Sequence, residues 1–164
     1  MKLSNNLSLA EVIKSGTAKR LGINNEPTIE HMENLKALAL NIFQPLRDNF
    51  KIPIAVTSGY RSEDLNKAIG GSLKSQHCKG EAADIESYEL SNADLFSHIV
   101  EGDYTYDQII LEFYTPGDPW SGWVHISSKR NPSQNRMQKL IAIKEKGKTV
   151  YKVINNIEDL EPYI

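Results

Sequence analysis

Ser75-Gln76-His77-Cys78-Lys79-Gly80-Glu81-Ala82-Ala83-Asp84 is the stretch on which the fold of this chain turns. As one continuous helix it would hold His77 and Asp84 two turns, or roughly 10 Å, apart, too far to act on one point. Gly80 permits another path. A turn there folds the His77 segment back against a short strand, Ala82 to Ile85, and both side chains converge. Ala82 and Ala83 leave room beside them. Further on, Trp123-Val124-His125-Ile126-Ser127 reads as a strand. Its alternation puts Trp123, His125 and Ser127 on one face and Val124 and Ile126 on the other. Two histidines, one carboxylate and a water complete a tetrahedral zinc site with one open position. Taken singly, a strand histidine is as well explained by structural hydrogen bonds, and Asp84 by a turn cap. Spacing alone leaves the two explanations level.

Working outward, Ser8-Leu9-Ala10-Glu11 has the form of a capping box and opens a short helix to about Lys14. Gly16 and Asn24-Asn25 read as breaks. Pro27 and Thr28 precede a long helical pattern in which Ile29, Met32, Leu35, Leu38, Ile42 and Leu46 line one face as core. His31, beside that stripe, is expected at the surface. Ile52 to Ser58 is a β-rich run. Ser62 caps a helix through Ile69, closed by Gly70-Gly71, and Ser91 with Asp94 opens another through Val100. Asp107 to Phe113 forms a strand ahead of the Pro- and Gly-rich loop at 115–119. Leu140 to Lys144 and Thr149 to Ile154 form a final hairpin around Lys146-Gly147-Lys148. Helices come first and strands later, without regular βαβ alternation. The expected class is therefore α+β, a mainly antiparallel sheet with helices packed on one side.

The bulk numbers narrow the function classes. The chain has 164 residues, a length suited to a single domain. That domain divides into an N-terminal helical part (1–50), a sheet that carries the site (51–128) and a C-terminal hairpin (129–164). A formal charge of −2 argues against a nucleic-acid partner. No apolar run is long enough to span a bilayer, so no membrane partner is expected. Cys78 is the single cysteine, which excludes an intrachain disulfide. Met1 to Leu9 has no apolar stretch ahead of a small-residue cleavage site, so no signal peptide is expected. A monomer made in the cytoplasm is the expectation.

Thr57-Ser58-Gly59-Tyr60-Arg61-Ser62, Leu65-Asn66, Gly70-Gly71, Ser75-Gln76-His77, Gly80, Ala82, Asp84 and the later Trp123-Val124-His125 together resemble the D-alanyl-D-alanine carboxypeptidase family of zinc peptidases. The likeness is strongest to its short, phage- and prophage-associated branch. It extends over roughly residues 7 to 128, and three separated motifs agree in order. It implies a hedgehog/D-Ala-D-Ala peptidase-like fold and a Zn2+ ion held by His77, Asp84 and His125. It implies hydrolysis of a peptide bond in bacterial peptidoglycan, in a stem peptide or a crosslink. The setting it implies is the cell wall, reached after release from the cell or with a phage. Arg61 is expected to stabilise the oxyanion of the tetrahedral intermediate or to hold a substrate carboxylate. Its bland alternative is a surface ion pair with Glu63 or Asp64. Ser75 is expected to bind the substrate backbone. Tyr60, Tyr114, Trp120 and Trp123 are candidates for lining a groove, with core packing as the competing role of each.

One departure stands out. Many relatives place a glutamate three residues before the second histidine, and here that residue is Gly122. Glu112 is the expected replacement as general base, because its strand phase allows it to face the same side as His125. Asp107, at the start of that strand, is the alternative. Cys78 is expected to point away from the site. The empty position at 122 also keeps open a non-catalytic zinc-binding module, of wall-binding or structural type, as in the signalling domain of sonic hedgehog.

Overall fold

The computed structural model describes residues 1–50 and 53–164. Among these, six strands form one sheet: β1 (Ile54–Ser58), β2 (Ala82–Ser87), β3 (Gln108–Glu112), β4 (Trp123–Ser127), β5 (Gln138–Glu145) and β6 (Lys148–Val153). Their order is β1-β2-β4-β3-β5-β6. Every neighbouring pair is antiparallel except β3 and β5, which run parallel. The α+β class and the mainly antiparallel sheet are as expected. The hairpin at 138–153 is also as expected, but it joins the main sheet in parallel alongside β3. The start of the first strand at Ile52 lies outside the described residues.

The sheet has two unlike faces because side chains alternate along each strand. Ala83, Ile85, Ile109, Leu111, Val124, Ile126 and Ile141 point to one face and are all fully buried. Helix α3 (Ile29–Leu38), α4 (Gln44–Phe50) and α6 (Asn92–Glu101) supply the apolar residues that pack in the same core, including Leu35, Leu38, Leu46, Phe96 and Ile99. Each such side chain contributes about 1.5–3 kcal/mol by leaving water. Asp84, His125, Ile110 and Glu112 occupy the opposite face.

Between α3 and α4 the chain makes a π-helical turn, Ala39–Phe43. The periodicity predicts one unbroken helix, but Pro45 lacks the N–H that would bond to Asn41, and its ring crowds the carbonyl there. A widened turn just before it relieves both problems and keeps the rod continuous. Ile29, expected in the core, is the first residue of α3 and is 85% exposed. His31 is half-buried instead of surface, with Nδ1 3.1 Å from the Tyr60 hydroxyl.

The N-terminal segment follows its capping signals. Ser8 and Glu11 form a capping box at α1 (Leu9–Ile13). Gly16 does not break the chain. It opens α2 (Gly16–Leu21), because Ser15 Oγ accepts the Ala18 N–H and caps that helix. Ser62 caps α5 (Glu63–Ala68) in the same way. The tail forms a 3₁₀ segment, Ile157–Tyr163, that buries Leu160 and was not expected from its sequence pattern. No helix among the described residues is long and apolar enough to cross a membrane.

Candidate metal centre

Gly80 is where the chain turns. His77 lies in a short 3₁₀ helix, Gln76–Lys79, which ends at Gly80 in the left-handed conformation (φ +71°). A Cβ on Gly80 would stand 2.5 Å from the His31 carbonyl oxygen, so a side chain is excluded by space as well as by conformation. Beyond the turn, β2 presents Asp84, and Asp84 is the register partner of His125 on β4. The three side chains are buried and meet at one point.

His77 Nε2 is 3.2 Å from Asp84 Oδ1 and 3.2 Å from His125 Nδ1, and His125 Nδ1 is 3.1 Å from Asp84 Oδ1. These three atoms form a near-equilateral triangle. Ligands of a tetrahedral zinc at ~2.0–2.1 Å would stand about 3.3 Å from one another, so the triangle matches one face of that tetrahedron. The donor chemistry agrees. His77 Nδ1 is 2.7 Å from the Gly59 carbonyl, which can only accept, so Nδ1 carries the proton and Nε2 keeps its lone pair. A lone pair facing a carboxylate oxygen at this distance is repelled unless a cation lies between them. The residues present fit a divalent metal. Burial alone would raise the Asp84 pKa, but positive charge at the triangle, from protonated His77 and His125 or from a cation in their place, outweighs it and holds the carboxyl well below its usual range.

Arg61 extends from the loop after β1. Its Nη2 donates to Asp84 Oδ2 at 3.1 Å and its Nε to Ser58 Oγ at 3.2 Å. The ion pair is therefore with Asp84, not with Glu63 or Asp64. By holding the oxygen that faces away from the histidines, Arg61 fixes which oxygen is offered to a metal.

A groove of about 860 Å³ opens over the three residues and is lined also by Arg61, Ser75, Glu112 and Trp123. Of the four aromatic candidates only Trp123 lines it. Tyr60 is buried and instead borders a neighbouring groove of about 610 Å³ that shares Arg61 but none of the convergent donors. The chemistry lies with the donors, so the larger groove is the relevant one. Ser75 precedes the 3₁₀ helix, and its hydroxyl caps nothing there. Cys78 lies outside the convergent set.

Glu112 stands opposite Trp123 in the β3–β4 register, one step beyond the Ile110–His125 pair on the same face. Burial pushes its pKa up, and the nearby Asp84 charge adds to this against the opposing charges of His125 and Arg61. Its carboxylate accepts no hydrogen bond among the described residues. Asp107 is very different. It is fully buried and accepts two side-chain hydrogen bonds from Arg136, at 2.9 and 2.7 Å, and one from Gln76 at 2.9 Å. Asp107 is therefore a structural ion pair, and the alternative base role considered for it is withdrawn.

Gly122 shows why no glutamate stands there. Its φ is +66°, and a Cβ would come 2.1 Å from the backbone oxygen of Glu112. The β3–β4 connection closes too tightly for a side chain at 122.

Two contributors had only weak signals in the sequence. Asn25, in a pair read as a break, donates to the Ile13 and Tyr60 carbonyls at 2.8 and 3.0 Å and accepts the Ser62 N–H at 2.7 Å. It ties the N-terminal segment to the loop that carries Arg61. Gln76, next to His77, anchors the 3₁₀ helix to Asp107. Neither residue type announces such a role without its partners.

A buried His–Asp–His set that could hold a metal ion lies in an open groove, beside a glutamate whose carboxylate has no hydrogen-bond partner among the described residues. A family model described as Peptidase M15 matches residues 5–127, and the chain belongs to this family of zinc peptidases, related to the D-Ala-D-Ala carboxypeptidases. No curated protein matches the chain.

Proposed function

We propose that this protein is a zinc metallopeptidase that hydrolyses peptide bonds of bacterial peptidoglycan, in stem peptides or crosslinks, as a D-Ala-type carboxypeptidase or endopeptidase. The observation that carries the proposal is the triangle of His77 Nε2, Asp84 Oδ1 and His125 Nδ1, with edges of 3.1–3.2 Å, at the floor of a groove that also holds Glu112. The choice of wall peptide rests on the motif resemblance to the phage-associated branch of the family. Release from the cell or carriage by a phage would bring the enzyme to that substrate.

His77, Asp84 and His125 would hold the zinc. When bound there, the metal supplies a Lewis acid for the scissile carbonyl and makes a water nucleophilic at neutral pH. The chain's residues do the rest. Glu112 takes the proton from the attacking water at its carboxylate and returns it to the leaving amine. A carboxylate with no hydrogen-bond donor among the described residues and a raised pKa is suited to that exchange, because neither of its protonation states is locked. Arg61 orients Asp84, and its charge also stabilises oxyanion character that develops in the groove. Ser75 holds the substrate backbone at the groove edge.

Zinc-loaded protein incubated with purified peptidoglycan is expected to release new amino termini or free D-alanine, detected by mass spectrometry. A protein that binds one zinc and releases neither from several wall types would instead be the non-catalytic zinc-binding module that Gly122 keeps in view.

A further inference from the structure

One wall of the groove is built by residues outside the matched family region. Strand β5 runs beside β3, with Ala142 the register partner of Glu112, and β6 pairs Tyr151 with Ala142. Lys144 follows on the same face of β5. Lys144 and Tyr151 both line the groove that holds His77, Asp84, His125 and Glu112.

Lys144 is exposed at the groove edge and has two neighbours there. Its Nζ donates to Thr149 Oγ1 at 2.7 Å and lies 4.9 Å from the centre of the Phe113 ring. Phe113 has φ +55°, a conformation that L-residues avoid and that tends to persist at functional sites. Strand alternation after Glu112 would aim its ring at the core face. The left-handed backbone instead packs it against Ile110, Leu140 and Ala142 on the groove face, edge-on to Trp123. The result is an aromatic platform beneath an exposed ammonium group.

The charge around that ammonium is lopsided. Of the cations lining the groove, Arg61, Arg136 and Lys129 are paired with Asp84, Asp107 and Glu81. Lys74, Lys79 and Lys144 have no carboxylate partner among the described residues. Against these three, Glu112 is the one lining carboxylate without an ion pair among the described residues. In a chain of net charge −2 this makes the groove locally positive, which favours an anionic ligand.

We infer that the β5–β6 hairpin is a specificity element, with Lys144 binding a free carboxylate that branches from the substrate backbone and is neither part of the reacting amide nor the chain terminus. The substrate class is an acidic peptide. This deepens the peptidase reading and rests on it for turnover, but not for binding.

The test uses two synthetic pentapeptides, L-Ala-D-Glu-L-Lys-D-Ala-D-Ala linked through the glutamate side chain, with the glutamate α-carboxylate either free or amidated. The zinc-loaded full chain is compared with Lys144→Gln and Lys144→Arg. Cleavage is followed by mass spectrometry, which reports any bond cut. Binding is measured by calorimetry on the Glu112→Gln background. A charge-assisted contact predicts that the wild type favours the free carboxylate by about tenfold or more in kcat/KM and in Kd. That ratio should fall towards one in Lys144→Gln and largely persist in Lys144→Arg. If neither peptide is cut but the acidic one binds more tightly in a Lys144-dependent way, the peptidase reading fails and the carboxylate site stands. No preference in the wild type, a preference that survives Lys144→Gln, or no binding of either peptide overturns the inference.

Discussion

Strand β3 carries a carboxylate near each end, and the two have opposite surroundings. Asp107, just before the strand, is buried under hydrogen bonds from Arg136 and Gln76. Burial by itself would raise its pKa, but those hydrogen bonds reverse the effect and hold it below the usual range. Glu112, at the other end, is partly buried with no donor to its carboxylate among the described residues, and burial pushes its pKa up. A satisfied carboxylate has its protonation state fixed and serves the fold. An unsatisfied one facing a groove can exchange protons and serves chemistry. Both residues border the same groove, so position alone does not separate them.

The comparison breaks most sharply at Glu112. Replacement by Gln should leave zinc content intact and lower kcat by about 10²–10⁴-fold, the usual worth of a positioned acid–base group. Full activity in that variant would end its role as base. Gly122→Ala comes next. Its Cβ would press on the Glu112 backbone oxygen from a left-handed position, at an expected cost of about 1–3 kcal/mol in a urea melt. Because the displaced atom belongs to Glu112, turnover should fall with stability, whereas normal turnover would detach the tight connection from the site.

Asp107→Asn should show the reverse signature. Stability should fall by about 1–3 kcal/mol, at the lower end if Arg136, whose side chain is 55% exposed, turns into solvent. Turnover of the folded protein should stay within a few-fold of wild type. The smallest effect is its pH dependence. A lowered folded pKa contributes stability that is complete above the unfolded value near ~3.9 and disappears as pH falls through the folded value. The stability gap between wild type and Asp107→Asn should therefore narrow in acid, and a gap that widens there would contradict the assignment.

Much of this arrangement was legible before the structure. Gly80 between His77 and Asp84 announced a turn, and alternation in 123–127 put His125 on a face opposite Val124 and Ile126. Those signals are local, and local rules govern them. What was hidden depends on partners distant in sequence. Arg61 and Asp84 meet only because β1 and β2 pair. Asp107 and Glu112 carry the same functional group, and only Arg136 and Gln76 tell them apart. The side-chain exclusion at Gly122 comes from the path of the neighbouring strand, which no residue at 122 could reveal. Ile29 fitted the helical stripe but is exposed at the first position of α3, since periodicity gives a face and not how far along it the packing extends.

The most direct test of the central claim is zinc content per chain measured alongside peptidoglycan cleavage, for the wild type and His77→Ala, before and after chelation and zinc re-addition. The account predicts one zinc per wild-type chain, cleavage that stops with the chelator and returns with zinc, and neither zinc nor cleavage in a folded His77→Ala. Unchanged zinc in His77→Ala, or cleavage that continues without metal, would contradict it.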